Sequence, residues 1–285
     1  MRPGGTAKLG EHEVARVGYG AMQLREEGPD DEPVAVLRRA RELGVDHVDT
    51  AEFYGDGVVN RRIRAALAPY EDVVIATKVG AEPADGEIPL RLAQQPEQLR
   101  AQVEANLRSL GAERLDVVNL RRADAPPGLV AEGDQVVDLD DQLAVMTALR
   151  DEGKIGAIGL SHVSAEQLRH ALPVGVVCVQ NAYSLVDRSS EPVLDLCREH
   201  GIAWVPYFPL GSAFPGQTHV ATLPAVRTVA ERTGATASQV GLAWVLSRSP
   251  ESMVIPGTRS VAHLEENVGA GSVSLSAADL ASLEA

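Results

Sequence analysis

Short apolar, β-branched runs recur along the chain, each followed by a polar cluster and then by a segment with helical spacing of apolar residues. They fall at residues 17–22, 45–49, 73–77, 116–120, 157–161, 176–180, 203–207 and 252–256. Strands that alternate with helices need crossover connections, so the pattern predicts a parallel sheet. Eight such units in 285 residues fit an α/β fold, a single (β/α)8 TIM barrel, whose usual size is about 250 residues. A doubly wound sheet is the alternative. No Pro/Gly/Ser-rich linker or repeat divides the chain, so residues 1–285 are expected to form one domain.

The helices carry their own punctuation. Asp30 and Asp31 precede Pro33, Val36, Ala40 and Leu43 share a stripe, and Gly44 stops the helix. Pro96 opens another, with Leu99, Val103, Leu107 and Leu110 on one face before Gly111. Ser164 with Gln167 and Thr236 with Gln239 read as capping boxes, and a last helix starts near Ser276. Residues 7–14 have the pattern of an N-terminal hairpin, with Gly10 and Glu11 as its turn, that plugs the barrel bottom. Two stretches, 79–95 and 121–138, are too long and polar for ordinary connections, and both follow strands on the side where barrel enzymes keep their sites.

Composition removes several function classes. A net charge of −14 repels phosphate backbones and anionic lipid, so neither nucleic acid nor membrane is an expected partner. No apolar run approaches the roughly 18 residues of a membrane helix, and residues 1–10 lack a signal-peptide stretch, which predicts a cytoplasmic protein. Cys178 and Cys197 show no metal or redox spacing and read as core thiols. A monomer is expected, since a barrel buries its core without a partner.

In a barrel the residue at or just past the C-terminal end of each strand faces the site. Those positions hold Met22, Asp49, Lys78, Arg121, Ser161, Gln180, Tyr207 and Gly257. Asp49 and Lys78 would end adjacent strands at one mouth, where burial favours pairing. Tyr54 follows Asp49 by five residues and reaches the same spot. A neighbouring ammonium favours phenolate, so Tyr54 is expected to release its proton more readily than the reference near 10 allows. A structural ion pair with a rim tyrosine is the plainer account of the same residues.

Other motifs fail residue by residue. Gly18-Tyr19-Gly20 would need its third glycine at Gln23, and Gly159-Leu160-Ser161-His162-Val163 lacks the last glycine of a nucleophile elbow. His47 and Asp49 share a strand face, reminiscent of metal-dependent barrel hydrolases, but only His162 stands at a later strand end. No metal site is expected.

With Asp49, Tyr54 and Lys78 at these spacings, the sequence resembles the aldo-keto reductases. The stretch Gly44-Val45-Asp46-His47-Val48-Asp49-Thr50-Ala51 is similar to the family's approach to its aspartate. Further segments resemble the family in family order: residues 156–162, 179–185, 205–211, and 255–260 with Glu266-Asn267. The resemblance implies hydride transfer between NADPH and an aldehyde or ketone. Tyr54 would be the general acid, tuned by Lys78 and Asp49. Ser161, His162 and Gln180 would bind the nicotinamide carboxamide, and Tyr207 would stack on the ring. Gly20, Ala21, Met22, Phe208, Pro209, Leu210 and Ser212 would line the cofactor. Thr258, Arg259 and Ser260 would hold its 2′-phosphate at a helix start, with Gly257 and His263 also at the cofactor and Glu266 and Asn267 at the adenine. Met22, Phe53, Tyr54, Arg121 and Phe208 would form the substrate pocket.

The sequence departs from the family at the fourth catalytic position. A histidine is usual five residues after the aspartate of the fourth strand, and here that count from Asp116 reaches Arg121. Arginine does not exchange protons, but it donates hydrogen bonds to a carbonyl oxygen. Arg121 is therefore expected to orient an oxygen-rich or anionic substrate, such as a pyridoxal-like or sugar-derived carbonyl. An NADPH-binding redox sensor with little turnover is the competing function. Gly257, His263 and Phe208 stand where lysine, arginine and serine are common, which predicts a weaker grip on the phosphate and a narrower site.

Overall fold

Strands β1 (Thr6–Leu9) and β2 (His12–Ala15) pair antiparallel with Leu9 opposite His12, so Gly10 and Glu11 make the turn that the sequence predicts. Gly10 sits at φ +65°, a left-handed conformation that glycine adopts without steric cost. Leu9 and Val14 pack with Val74, Val117, Ala203 and Met253, residues of the barrel strands, and so close one end of the barrel. The computed structural model describes residues 1–26, 28–85, 90–126, 128–211 and 218–285.

The barrel strands are β3 (Tyr19–Gly20), β4 (His47–Asp49), β5 (Val74–Val79), then, after a small antiparallel hairpin of β6 (Ala81–Pro83) and β7 (Leu90–Leu92), β8 (Leu115–Arg121), β9 (Ile155–Ser161), β10 (Val176–Gln180) and β11 (Ala203–Trp204). They form one parallel sheet in the order β3-β4-β5-β8-β9-β10-β11. Neighbours in sequence are neighbours in space, as in a barrel, and among the described residues the order shows no strand reversal of a doubly wound sheet.

Three strand expectations need correction. Residues 252–256 form no ladder; single bridges join Ser252 to Trp204 and Val254 to Val17, one at each sheet edge. Hydrogen bonds from Gly18 N–H to the Val254 carbonyl and from Met253 N–H to the Trp204 carbonyl, each 2.8 Å, complete the closure. The run predicted at 203–207 keeps only Ala203 and Trp204 in ladder geometry, with Tyr207 in a single bridge to Ala182. Pro206 and Pro256 have no N–H to donate, which limits pairing at this seam. The first run is likewise short, because Met22 already belongs to a 3-10 turn, Met22–Arg25.

Helices α1 (Asp31–Glu42), α2 (Val58–Leu67), α3 (Pro96–Leu110), α4 (Leu139–Asp151), α5 (Ala165–Ala171), α6 (Glu191–His200), α7 (Pro224–Thr233), α8 (Ala237–Ser247), α9 (Val261–Gly269) and α10 (Ala277–Glu284) follow or separate the strands. The capping boxes at Ser164 and Thr236 form, and α10 has one between Ser276 and Asp279. α3 starts at Pro96 and ends on Gly111 in the left-handed conformation. The main core lies between sheet and helices, where Leu37, Leu99, Val103, Leu160, Trp204 and Trp244 are buried. Cys178 and Cys197 are buried thiols, the second pushed up to about 12 by desolvation. No helix among the described residues is long and apolar enough to cross a membrane.

Candidate active site

Asp49 ends β4 and Lys78 lies near the end of β5, and both are more than nine-tenths buried. Two charges taken out of water need each other, and the Lys78 ammonium donates to Asp49 Oδ1 and, at 3.1 Å, to the Thr50 carbonyl. Gln180 Nε2, at the end of β10, donates to Asp49 Oδ2 at 2.7 Å. Both carboxylate oxygens are thereby used. Lys78 remains protonated: burial works against it, but Asp49 and the neighbouring Tyr54 hold its pKa above the ordinary lysine value.

Tyr54 packs over this pair, with the Lys78 ammonium 5.3 Å from its ring centre and Phe53 edge-on at 5.2 Å. Here the structure corrects the sequence expectation. Burial is the largest influence and raises the Tyr54 phenol above its ordinary value, while Lys78 and Arg121 pull it down only in part. In this protein Tyr54 is a firmly protonated acid at neutral pH.

The segment carrying Tyr54 is braced from below by a polar network that sequence reasoning missed. Asn60 on α2 and Asn106 on α3 are fully buried. Thr50 Oγ1 donates to Asn60 Oδ1 at 2.8 Å, and Asn60 Nδ2 donates to Glu52 and Asn106 at 3.0 Å each. Thr77 donates to Asn106 at 2.6 Å and Ser109 to Glu52 at 2.7 Å. The signal was available: asparagines on the inner face of two amphipathic helices are costly unless bonded.

Arg121 ends β8 with its Nη1 buried and without a hydrogen-bond partner among the described residues. Desolvation lowers its pKa, opposed by Tyr207 and Tyr54, the two phenols near it. Gln94 Nε2 donates to the Arg121 carbonyl at 3.0 Å and to that of Gly80, tying together the chain just past β5 and β8. Gln94 is a second residue that the sequence did not single out. Phe53 packs with Ala51 and Ala81, and Leu90 lies against them, so the β6–β7 hairpin supplies an apolar wall beside Tyr54.

Ser161 ends β9 and is buried. His162 follows in the left-handed region at φ +60°, and Phe208 at φ +56°. Such strain in non-glycine residues gathers at sites whose surroundings over-determine the backbone. The His162 ring spans Tyr207 and the 121–138 loop: Nε2 lies 2.7 Å from the Ala125 carbonyl, which only accepts, so the neutral ring carries its proton there. Nδ1 then accepts from the Tyr207 hydroxyl at 2.9 Å. Tyr207 and Phe208 meet edge to face at 5.1 Å. His47, at the start of β4, is fully buried with neither ring nitrogen hydrogen-bonded among the described residues, and desolvation pushes it down to about 4. Among the described residues no group of three or more His, Cys, Asp and Glu is placed to hold a metal.

On the other flank of the mouth lie Gly20, buried Ala21, half-buried Met22, and residues 257–260. Ala21 N–H donates to the Asp49 carbonyl at 2.9 Å. Ser260 caps α9, its Oγ accepting from His263 N–H, and Ser260 N–H donates to Thr258 Oγ1 at 3.0 Å. His263 is exposed, and Asn267 is half-buried. Arg259, expected to supply bare positive charge, is instead paired with Glu26 at 2.7 Å. Glu266 accepts from Thr236 Oγ1 at 2.6 Å. Pro209 and Leu210 follow Phe208, half-buried, and Ser212 lies outside the described residues.

Gly257 has a structural reason to differ from lysine. A Cβ there would lie 2.5 Å from the Gly20 carbonyl and closer still to the Gln23 side chain. Gly257→Ala is expected to destabilise the fold by about 1–3 kcal/mol, read as a lower midpoint in urea unfolding; an unchanged midpoint would contradict the crowding.

The family model of the aldo/keto reductases matches residues 16–285. The chain belongs to this family. Carbonyl oxidoreduction is the chemistry that this membership carries. Among its relatives, a pyridoxine 4-dehydrogenase of Escherichia coli (strain K12) is 43% identical over 287 residues, covering 98% of this chain and 97% of the relative. A probable aldo-keto reductase of Glycine max is 31% identical, covering 96% and 86%. Of solved structures, an aldo-keto reductase from Klebsiella pneumoniae in complex with NADPH is 27% identical with a TM-score of 0.82, covering 100% of this chain and 95% of that one.

Proposed function

We propose that this reductase transfers a hydride between NADPH and a small aldehyde or ketone, with Tyr54 as the proton donor and Lys78 and Asp49 as its electrostatic support. The observation that carries this is the buried Asp49–Lys78 pair beneath a half-buried Tyr54 whose phenol is held protonated. As hydride reaches the carbonyl carbon, charge builds on oxygen, and Tyr54 hands it a proton. The phenolate left behind faces Lys78, whose fixed ammonium stabilises it without solvent reorganisation.

The residues present fit a nicotinamide cofactor. Gln180 Oε1 is buried and lacks a partner among the described residues, an acceptor for a carboxamide N–H. Ser161 lies beside it across the sheet, paired in register with Gln180. Tyr207, its hydroxyl held by His162, would offer a fixed ring face for stacking. Residues 257–260 with His263 would take the 2′-phosphate at the N-terminus of α9. When bound, the cofactor supplies the hydride; the protein supplies position, proton and exclusion of water.

Arg121 deepens the substrate assignment. Its buried, unpartnered Nη1 suits an oxygen on the substrate beyond the one that Tyr54 protonates. A pyridoxal-like carbonyl, with a hydroxyl next to the formyl group, has that second oxygen, and the 43% identical relative bears the name of a pyridoxine dehydrogenase. Arg121→Ala is expected to cut kcat/KM for pyridoxal by roughly tenfold to a hundredfold while a plain aromatic aldehyde is little affected. Equal turnover of every substrate by the variant and the wild type would remove Arg121 from substrate recognition.

A further inference from the structure

Arg259 is already occupied. Its Nη1 lies 2.7 Å from Glu26 Oε2 and its Nη2 3.5 Å from Glu32 Oε2. Neither acid belongs to the segment that carries Arg259. Glu26 directly follows the 3-10 turn after β3, and Glu32 lies in the first turn of α1. Arg62, buried on α2, bonds to several of the residues beside Arg259. Arg62 Nε donates to Asp30 at 2.7 Å, Nη1 to the carbonyls of Leu24 and, at 3.0 Å, Glu26, and Nη2 to that of Gly28 at 3.3 Å. The same segment packs onto the arginine: a Cβ on Gly28 would lie 3.0 Å from Arg259 Nη2.

We propose that Glu26 and Glu32 restrain the preference for NADPH over NADH by holding Arg259 as an internal ion pair, which a dianionic phosphate ester on the cofactor ribose must displace. The inference rests on the cofactor assignment above. A guanidinium has a limited fan of donors, and a phosphate arriving at Arg259 competes with Glu26 for them and is repelled by both carboxylates. Affinity for NADPH is therefore the phosphate's interaction with Arg259 less the interaction with Glu26 that it replaces. A cofactor with a 2′-hydroxyl displaces nothing, leaves the pair closed and gains nothing from Arg259. Removing the carboxylates then strengthens NADPH binding selectively.

Calorimetric titration of the wild type, Glu26→Gln and Glu26→Gln/Glu32→Gln with NADPH and with NADH tests this. The expected result is roughly two- to fivefold tighter NADPH binding by the single variant, as befits an exposed pair, and more by the double variant. NADH affinity should move by less than about twofold, and the gain should shrink in high salt. Unchanged or weaker NADPH binding in both variants, or an equal gain for NADH, overturns the competition while leaving the cofactor assignment intact. Failure of the wild type to bind NADPH at all overturns that assignment, and this inference with it.

Discussion

Tyr54→Phe is expected to lower carbonyl turnover by about 10²–10⁴-fold with NADPH affinity unchanged. The substitution removes one hydroxyl from a half-buried ring whose edge contact with Phe53 and position over Lys78 do not depend on it. The site keeps its shape and loses its acid. Because burial raises the phenol pKa above its usual value near 10, the acid is fully protonated across neutral pH. Wild-type reduction should therefore show no fall attributable to Tyr54 between about pH 6 and 9, and should fall only as pH rises toward the raised pKa. Steady-state rates for both proteins, with cofactor titrations alongside, check the two parts. A Phe variant that retains wild-type turnover would take Tyr54 out of the chemistry.

Lys78→Met is expected to have the largest combined effect. The ammonium is the positive partner of a buried Asp49, and removing it leaves a carboxylate held, among the described residues, by Gln180. Breaking one side of such a pair costs about 3–5 kcal/mol, so the urea midpoint should drop sharply. Turnover should fall by about 10²–10³-fold as well, since the Tyr54 phenolate formed in reduction loses its fixed counter-charge. Lys78→Met together with Asp49→Leu should recover much of the stability and none of the activity, separating the structural part from the catalytic one. Equal loss of stability in the single and double variants would contradict the pairing argument.

The strand ends were legible because a barrel points its terminal residues into one mouth. Asp49, Lys78, Arg121, Ser161 and Gln180 could be named from order and spacing before any contact was known. The turn at Gly10 and the caps at Ser164 and Thr236 were legible because they are local chemistry. What depends on three dimensions was not. The weak closure at residues 252–256 reflects how two sheet edges meet, which a β-branched run does not reveal. The phenol of Tyr54 was given the wrong direction because a neighbouring lysine can be inferred from sequence, whereas the desolvation of the phenol cannot. Arg259 looked like free positive charge because its partner Glu26 lies 233 residues away. Asn60 and Asn106 were not singled out, although with Thr50 and Glu52 they bond together the chain that leads to Tyr54.

The central claim is that a half-buried Tyr54 over an Asp49–Lys78 pair performs carbonyl reduction with Arg121 at the end of β8. NADPH oxidation by the wild-type protein, followed by loss of nicotinamide absorbance across pyridoxal and a panel of aldehydes and ketones, tests it most directly. Carbonyl-dependent oxidation with pyridoxal among the faster substrates is the predicted result. Tight NADPH binding with no oxidation by any carbonyl would contradict it and mark the protein as a cofactor sensor.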